Sequence, residues 1–134
     1  MSEGSNLGTV RKVYEHWGNG DFASGVEPYG PDTELVLGAD FPDAGAHRGL
    51  DAIRSYTRGF LSPWDSISIA ADELQDFGDR VLVRVFQRGI GTSSGIEIEM
   101  RYFQLWTFEG STASRVEAIM DEADALEAAQ GEPS

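Results

Sequence analysis

The sequence predicts an α+β domain in which three N-terminal helices pack on a curved antiparallel sheet and a short helix closes the chain. Three observations predict it. Segments with apolar residues at helical spacing come first, ending at Leu61; strands follow from Ser66, with period-two alternation at Ser66–Ala70 and Ile96–Met100; and Asp121 caps an acidic, alanine-rich tail helix. Strands do not alternate with helices in that order, so consecutive strands are expected to pair as hairpins rather than through βαβ crossovers. Short turn signals, Phe77-Gly78-Asp79-Arg80 and Glu109-Gly110-Ser111 among them, separate the strands.

The elements follow in order. From Asn6 to Asn19, Leu7, Val10, Val13, Tyr14 and Trp17 form one apolar stripe, and Gly18-Asn19-Gly20 stops the helix. Asp21 can cap a second short helix carrying Phe22, Val26 and Tyr29, which Gly30-Pro31 ends. Glu34 to Leu37 is a brief strand signal, and Gly38 to Arg48 reads as a loop. Gly49 to Leu61 is the third helix, with Ile53, Tyr56 and Phe60 on its apolar side and Ser62-Pro63 as its stop. Ser66 to Ala70 alternates as a half-buried strand, Val81 to Arg88 is the next, and Gly89 to Gly95 is read as a hairpin loop. Ile96-Glu97-Ile98-Glu99-Met100 alternates strictly and runs on to Phe108 as a long strand. A last strand is expected near Ser114 to Met120 before the alanine-rich tail helix.

A chain of 134 residues suits one domain over 1–134, with residues 1–5 and 130–134 expected to fray. It has no cysteine, which removes disulfides, thiol nucleophiles and thiolate metal sites. A net charge of −13 leaves no basic footprint for nucleic acid and disfavours anionic membrane surfaces. No apolar run approaches the roughly 18 residues that span a bilayer, and Met1 to Gly8 lacks a signal-peptide pattern, so the cytoplasm is the expected location. Neither His16 nor His47 has a His-x-His or Glu-x-x-His partner, so no metal and no cofactor are expected.

Several segments together resemble the SnoaL-like branch of the nuclear transport factor 2-like superfamily. They are Tyr14 with Asn19-Gly20-Asp21, Pro31-Asp32, Arg48-Gly49-Leu50-Asp51-Ala52-Ile53-Arg54, Gly78-Asp79-Arg80-Val81, Gly95-Ile96-Glu97-Ile98-Glu99, and Asp121 to Ala129. The resemblance implies a cone-shaped roll with a pocket inside it, and a homodimer formed through the outer sheet face. In relatives that isomerise ketosteroids, a helix tyrosine and a strand aspartic acid hold an oxyanion while a second aspartate moves the proton. Carried over, these positions fall on Tyr14, near Gln104 and near Leu37. Glutamine still donates a hydrogen bond, but leucine cannot take a proton, unless Asp40 or Asp43 on the following loop swings in. Epoxide-opening relatives use an Asp-Arg-Asp set; Arg101 and Asp121 invite that comparison, with Phe103 in place of the intervening acid.

The implied ligand is a small apolar or aromatic molecule, with carbonyl-bearing compounds prominent. Its walls are expected from Trp17, Tyr56, Phe60, Trp64, Met100, Tyr102 and Trp106. If the chain is an enzyme, a cofactor-free isomerase, cyclase or dehydratase is expected: Tyr14 and Gln104 polarise an oxygen, and His47 or Asp121 shuttles the proton. The simpler roles stand beside these. Tyr14 can be a core residue with a satisfied hydroxyl, the tryptophans can be packing, His47 can lie on the surface, and Asp121 can cap the tail helix with Asp124. The alternative function is a non-catalytic homodimeric binding or accessory domain.

Overall fold

The computed structural model describes residues 5–22, 28–38, 41 and 44–130. The first helix, α1 (Ser5–Gly18), buries Val10, Val13 and Tyr14 on the stripe that the helical spacing marks. Its end is a Schellman motif: Asp21 N donates to His16 O, Gly20 N donates to Trp17 O, and Gly20 takes the left-handed φ of 80°. Six strands then build one curved, open sheet. They are β1 (Tyr29–Leu37), β2 (Gly45–Arg48), β3 (Trp64–Asp76), β4 (Arg80–Gly91), β5 (Glu97–Glu109) and β6 (Thr112–Ile119), in the order β2-β1-β6-β5-β4-β3. Helix α2 (Leu50–Leu61) lies between β2 and β3, and α3 (Glu122–Gln130) ends the described chain.

The structure corrects the sequence reading in three places. The second N-terminal helix expected around Phe22, Val26 and Tyr29 lies mostly outside the described residues, and Tyr29 with Gly30-Pro31 belongs to β1 instead. There Thr33 Oγ1 accepts from Gly30 N at 2.7 Å and donates to Ala113 O, so a side chain stands in across an irregular stretch of the ladder. Glycine and proline mark a break in a strand here, not the end of a helix. Second, Gly45–Arg48, read as loop, pairs antiparallel with β1. It is a four-residue edge strand without apolar alternation, too short to leave a periodic signal. Third, the sheet is not wholly antiparallel: β1 and β6 run parallel, a long-range pairing that local hairpin signals do not encode. Ser5 and Gln130, both in stretches expected to fray, sit in α1 and α3; residues 1–4 and 131–134 lie outside the described residues.

Antiparallel pairing puts facing residues on the same side of the sheet. On the inner face of β5 this sets Met100 beside Gln87, Tyr102 beside Val85, Gln104 beside Val83, and Trp106 beside Val81. These residues pack against α1 and β1 in the main core. The outer face carries Leu82, Phe103 and Leu105, which α3 covers with Ala125 and Ala129. The long middle strands thus bury bulky residues on both sides, as a sheet with both faces covered must.

Candidate functional site

A cavity of about 470 Å³ lies between α1, α2 and the inner face of the sheet, a size suited to a small molecule. Trp17 and Phe22 close one end, Tyr29, Leu35 and Leu37 of β1 form one wall, and Phe41 packs edge-on against Tyr102. From α2 come Ile53, Tyr56, Thr57 and Phe60. Trp64, Ile69, Gln87, Met100, Tyr102 and Gln104 supply the sheet side up to Val116 and Ala118. Among the described residues no carboxylate, imidazole, ammonium or guanidinium lines it. A second hollow of about 550 Å³ shares Trp17, Phe22, Tyr29, Ile53 and Thr57 and carries Asp21, Arg54 and Arg58. Charge therefore stands outside the apolar chamber.

Trp64 owes its place to Gly89. A Cβ at residue 89 would lie 2.6 Å from Trp64 Cε3, so only glycine leaves room for the indole on the inner face of β4. Gly89 was expected in a hairpin loop; it is a strand residue that makes space for a ring.

Beside the hydroxyl-bearing residues Tyr29, Tyr56 and Thr57, the lining carries two glutamines, each held by a tyrosine. Trp106 Nε1 donates to Tyr14 Oη at 3.0 Å, and Tyr14 Oη donates to Gln104 Oε1. The indole can only donate, so the tyrosine's single proton must go to Gln104, and that fixes which end of the amide faces Tyr14. The Gln104 amide nitrogen is left for the cavity. Tyr102 Oη likewise donates to Gln87 Oε1 at 2.8 Å. Gln104 is 8 % exposed and Gln87 7 %. Among the described residues Trp17 Nε1 is the only sealed side-chain polar atom without a partner, so neither glutamine nitrogen is shut away from the cavity. Burial holds Tyr14 well above the ordinary phenol pKa, partly offset by the Trp106 hydrogen bond, and burial raises Tyr29 also. Both remain neutral phenols at physiological pH.

The structure brings most of the expected residues together and separates the rest. Trp17, Tyr56, Phe60, Trp64, Met100, Tyr102 and Gln104 all line the cavity. Tyr14 and Trp106 stand behind this lining as the support of Gln104. His47 lies outside the lining, its ring 4.6 Å from that of Tyr56. Asp121 is exposed at the start of α3, where Oδ2 accepts from Asp124 N at 3.0 Å. That is the capping geometry, on the helix that covers the outer face of the sheet. Arg101 is also directed outward, with its guanidinium over Phe86 and an ion-pair contact to Asp72. Leu37 lines the cavity, while Asp40 and Asp43 lie outside the described residues. Sequence reasoning missed Gln87. Its signal was available: Val81, Val83 and Val85 share a face, and Gln87 is the next residue on it.

Among the described residues, no group of three acidic, histidine or cysteine side chains could hold a metal ion, and no helix is long and apolar enough to cross a membrane. No curated protein is significantly similar in sequence. Solved structures resemble this one over nearly their whole length. An NTF2-like protein of unknown function from Burkholderia pseudomallei K96243 has 22 % identity and a TM-score of 0.76, covering 98 % of this chain and 100 % of its own. TerC, crystallised with polyporic acid, has 20 % identity and a TM-score of 0.73, covering 94 % and 98 %. A candidate SnoaL-like polyketide cyclase from Jannaschia sp. CCS1 has 15 % identity and a TM-score of 0.75, covering 99 % of each chain. The sequence pattern of the SnoaL-like domain itself matches residues 10–116. Fold, order of elements and that match agree: the chain belongs to the SnoaL-like domain family of the NTF2-like superfamily.

Proposed function

We propose that the chain binds a small, largely apolar molecule in the inner cavity and that Gln104 donates a hydrogen bond to a carbonyl oxygen on it. The observation that carries this reading is the chain of donors Trp106 to Tyr14 to Gln104. Successive hydrogen bonds in a dry interior polarise one another, so the Gln104 N–H groups are stronger donors than an isolated amide. A buried amide with unused donors facing an apolar chamber lowers its free energy by meeting an oxygen. The neighbour crystallised with polyporic acid lends support at the level of the fold. In calorimetric titrations of Gln87→Met, which leaves Gln104 as the one amide in the chamber, 4-acetylbiphenyl is expected to bind more tightly than biphenyl, and adding Gln104→Met should abolish most of that preference, roughly a tenfold effect for one neutral hydrogen bond. A ketone preference that survives the substitution would remove Gln104 from the site.

The second reading is a cofactor-free isomerase, cyclase or dehydratase, and the same polarised amide favours it, because a fixed donor stabilises an enolate as it forms. Proton transfer also needs a base. His47, whose ring meets that of the lining residue Tyr56 at a tilt of 34°, is the candidate within reach of a modest side-chain movement. Exchange of the acetyl protons of 4-acetylbiphenyl in deuterated buffer reports this step. Acceleration by the protein, lost in His47→Ala, would establish catalysis; exchange at the buffer rate would leave binding alone. For assembly we propose a homodimer through the outer sheet face beside α3. On that face Arg84, Arg88 and Arg101 are paired within the chain, and with a net charge of −13 on each copy salt should screen the repulsion and strengthen association.

A further inference from the structure

We propose that the cavity takes an uncharged, elongated, mostly apolar molecule bearing a hydrogen-bond-accepting oxygen at each end, one met by Gln104 and the other by Gln87. This rests on the reading of the cavity as a binding site and adds a second polar station to it. The two glutamines share one face of the sheet but not one place on it. Gln87 lies beside Met100 and Ile69, whereas Gln104 lies beside Val83 and Ala118. Along β5 the two positions differ by the four residues from Met100 to Gln104, on the order of 13 Å of extended strand. A single oxygen cannot serve both.

The two stations are built alike. In each, a buried tyrosine hydroxyl takes the amide oxygen, Tyr14 for Gln104 and Tyr102 for Gln87, and so turns the amide nitrogen away from itself. Neither nitrogen donates to another described residue, and neither is sealed in the protein. Placing a donor in an apolar wall costs free energy unless it is satisfied, and this is done twice, at separate places on one sheet face. The rest of the lining is mainly aromatic and aliphatic, with Tyr56, Phe60, Trp64, Met100 and Tyr102 among its walls, which suits a flat or rod-like hydrocarbon body. Tyr29 stacks on Trp106, and its phenol therefore belongs to the Gln104 end. No charged side chain among the described residues lines the cavity, so a carboxylate or ammonium at either end would be desolvated without compensation.

The test uses three rigid probes on the full chain: biphenyl, 4-acetylbiphenyl and 4,4′-diacetylbiphenyl, titrated calorimetrically. Affinity should rise roughly tenfold at each added carbonyl, the second step exceeding the statistical advantage of two equivalent ends. In Gln87→Met the diketone should keep only the statistical advantage of its two equivalent ends, about twofold over the monoketone. Gln87→Leu, which also removes the donors at similar volume, should give the same loss and serves if the methionine variant does not fold. Tyr102→Phe, which frees the amide to turn, should reduce the second step without abolishing it. Equal affinity of the two ketones for the wild-type protein, or a diketone advantage beyond the statistical one that survives both Gln87 variants, would overturn the second station and leave the first intact. Failure of either ketone to bind better than biphenyl would overturn the underlying reading instead.

Discussion

Tyr14 shows how a single residue can be read correctly for type and differently for place. Its position on the apolar stripe of α1 is legible in the sequence, and so is the value of a phenol there. The sequence could not reveal that Gln104 would stand between this phenol and the cavity, because their contact joins residues 90 positions apart. Tyr14→Phe removes the acceptor of the Trp106 N–H and the donor to Gln104 together. With Trp106 fully buried, the unsatisfied groups should lower stability by about 1–3 kcal/mol, measured by urea unfolding, and weaken the ketone preference at the same time. The pH dependence has a definite sign. Folding raises the Tyr14 and Tyr29 pKa values, so the folded state binds protons that the unfolded state releases above pH 10.0. Stability from this source is complete below that pH and is lost as the pH rises past it. The decline between pH 9 and pH 11.5, values chosen roughly to bracket the ordinary phenol range, should be shallower in Tyr14→Phe. An unchanged slope would contradict the assignment.

Elements were legible in proportion to their periodicity. The stripe of α1, the α2 helix and the alternation of β5 are plain in the sequence, because each presents one face to a core over many residues. Edge strand β2 was not, since four residues without alternation carry no period, and the strand reading of Gly30-Pro31 was hidden by residues that usually punctuate. Helix α3 gives the clearest test of a role. Asp121 caps its first turn, and Arg80 Nη1 reaches the carbonyls of Ala128 and Ala129 at its last. Asp121→Ala should therefore lower stability by about 1 kcal/mol and leave 4-acetylbiphenyl affinity where it was. A loss of affinity would return this carboxylate to the site. On β4, Gly89→Ala should displace Trp64 from the cavity wall, seen as a change in tryptophan emission and a weaker complex with each biphenyl probe. Unchanged emission would show that the wall yields elsewhere.

At the scale of the molecule, the sheet folds its two sides into different chemistry. The inner face is apolar with two oriented amides, and the outer face is a lattice of exposed ion pairs with α3 laid across part of it. Two-residue alternation in β4 and β5 sorts these two faces, and that much follows from sequence. The parallel meeting of β1 with β6, which sets Leu35 and Leu37 against Val116 and Ala118 across the cavity wall, follows only from the tertiary fold. Seven of the twenty lining residues were nameable in advance, but the β1 and β6 wall was not, nor the division between lining and support. The central claim is that Gln104 presents its amide N–H groups to a ligand oxygen. It is tested most directly by following the glutamine side-chain NH₂ resonances in a ¹⁵N–¹H spectrum during titration with 4-acetylbiphenyl, the Gln104 pair being assigned by its disappearance in Gln104→Met. This pair should move downfield with the ligand and stay in place with biphenyl. Saturable binding of the ketone that leaves the Gln104 pair unmoved would contradict it.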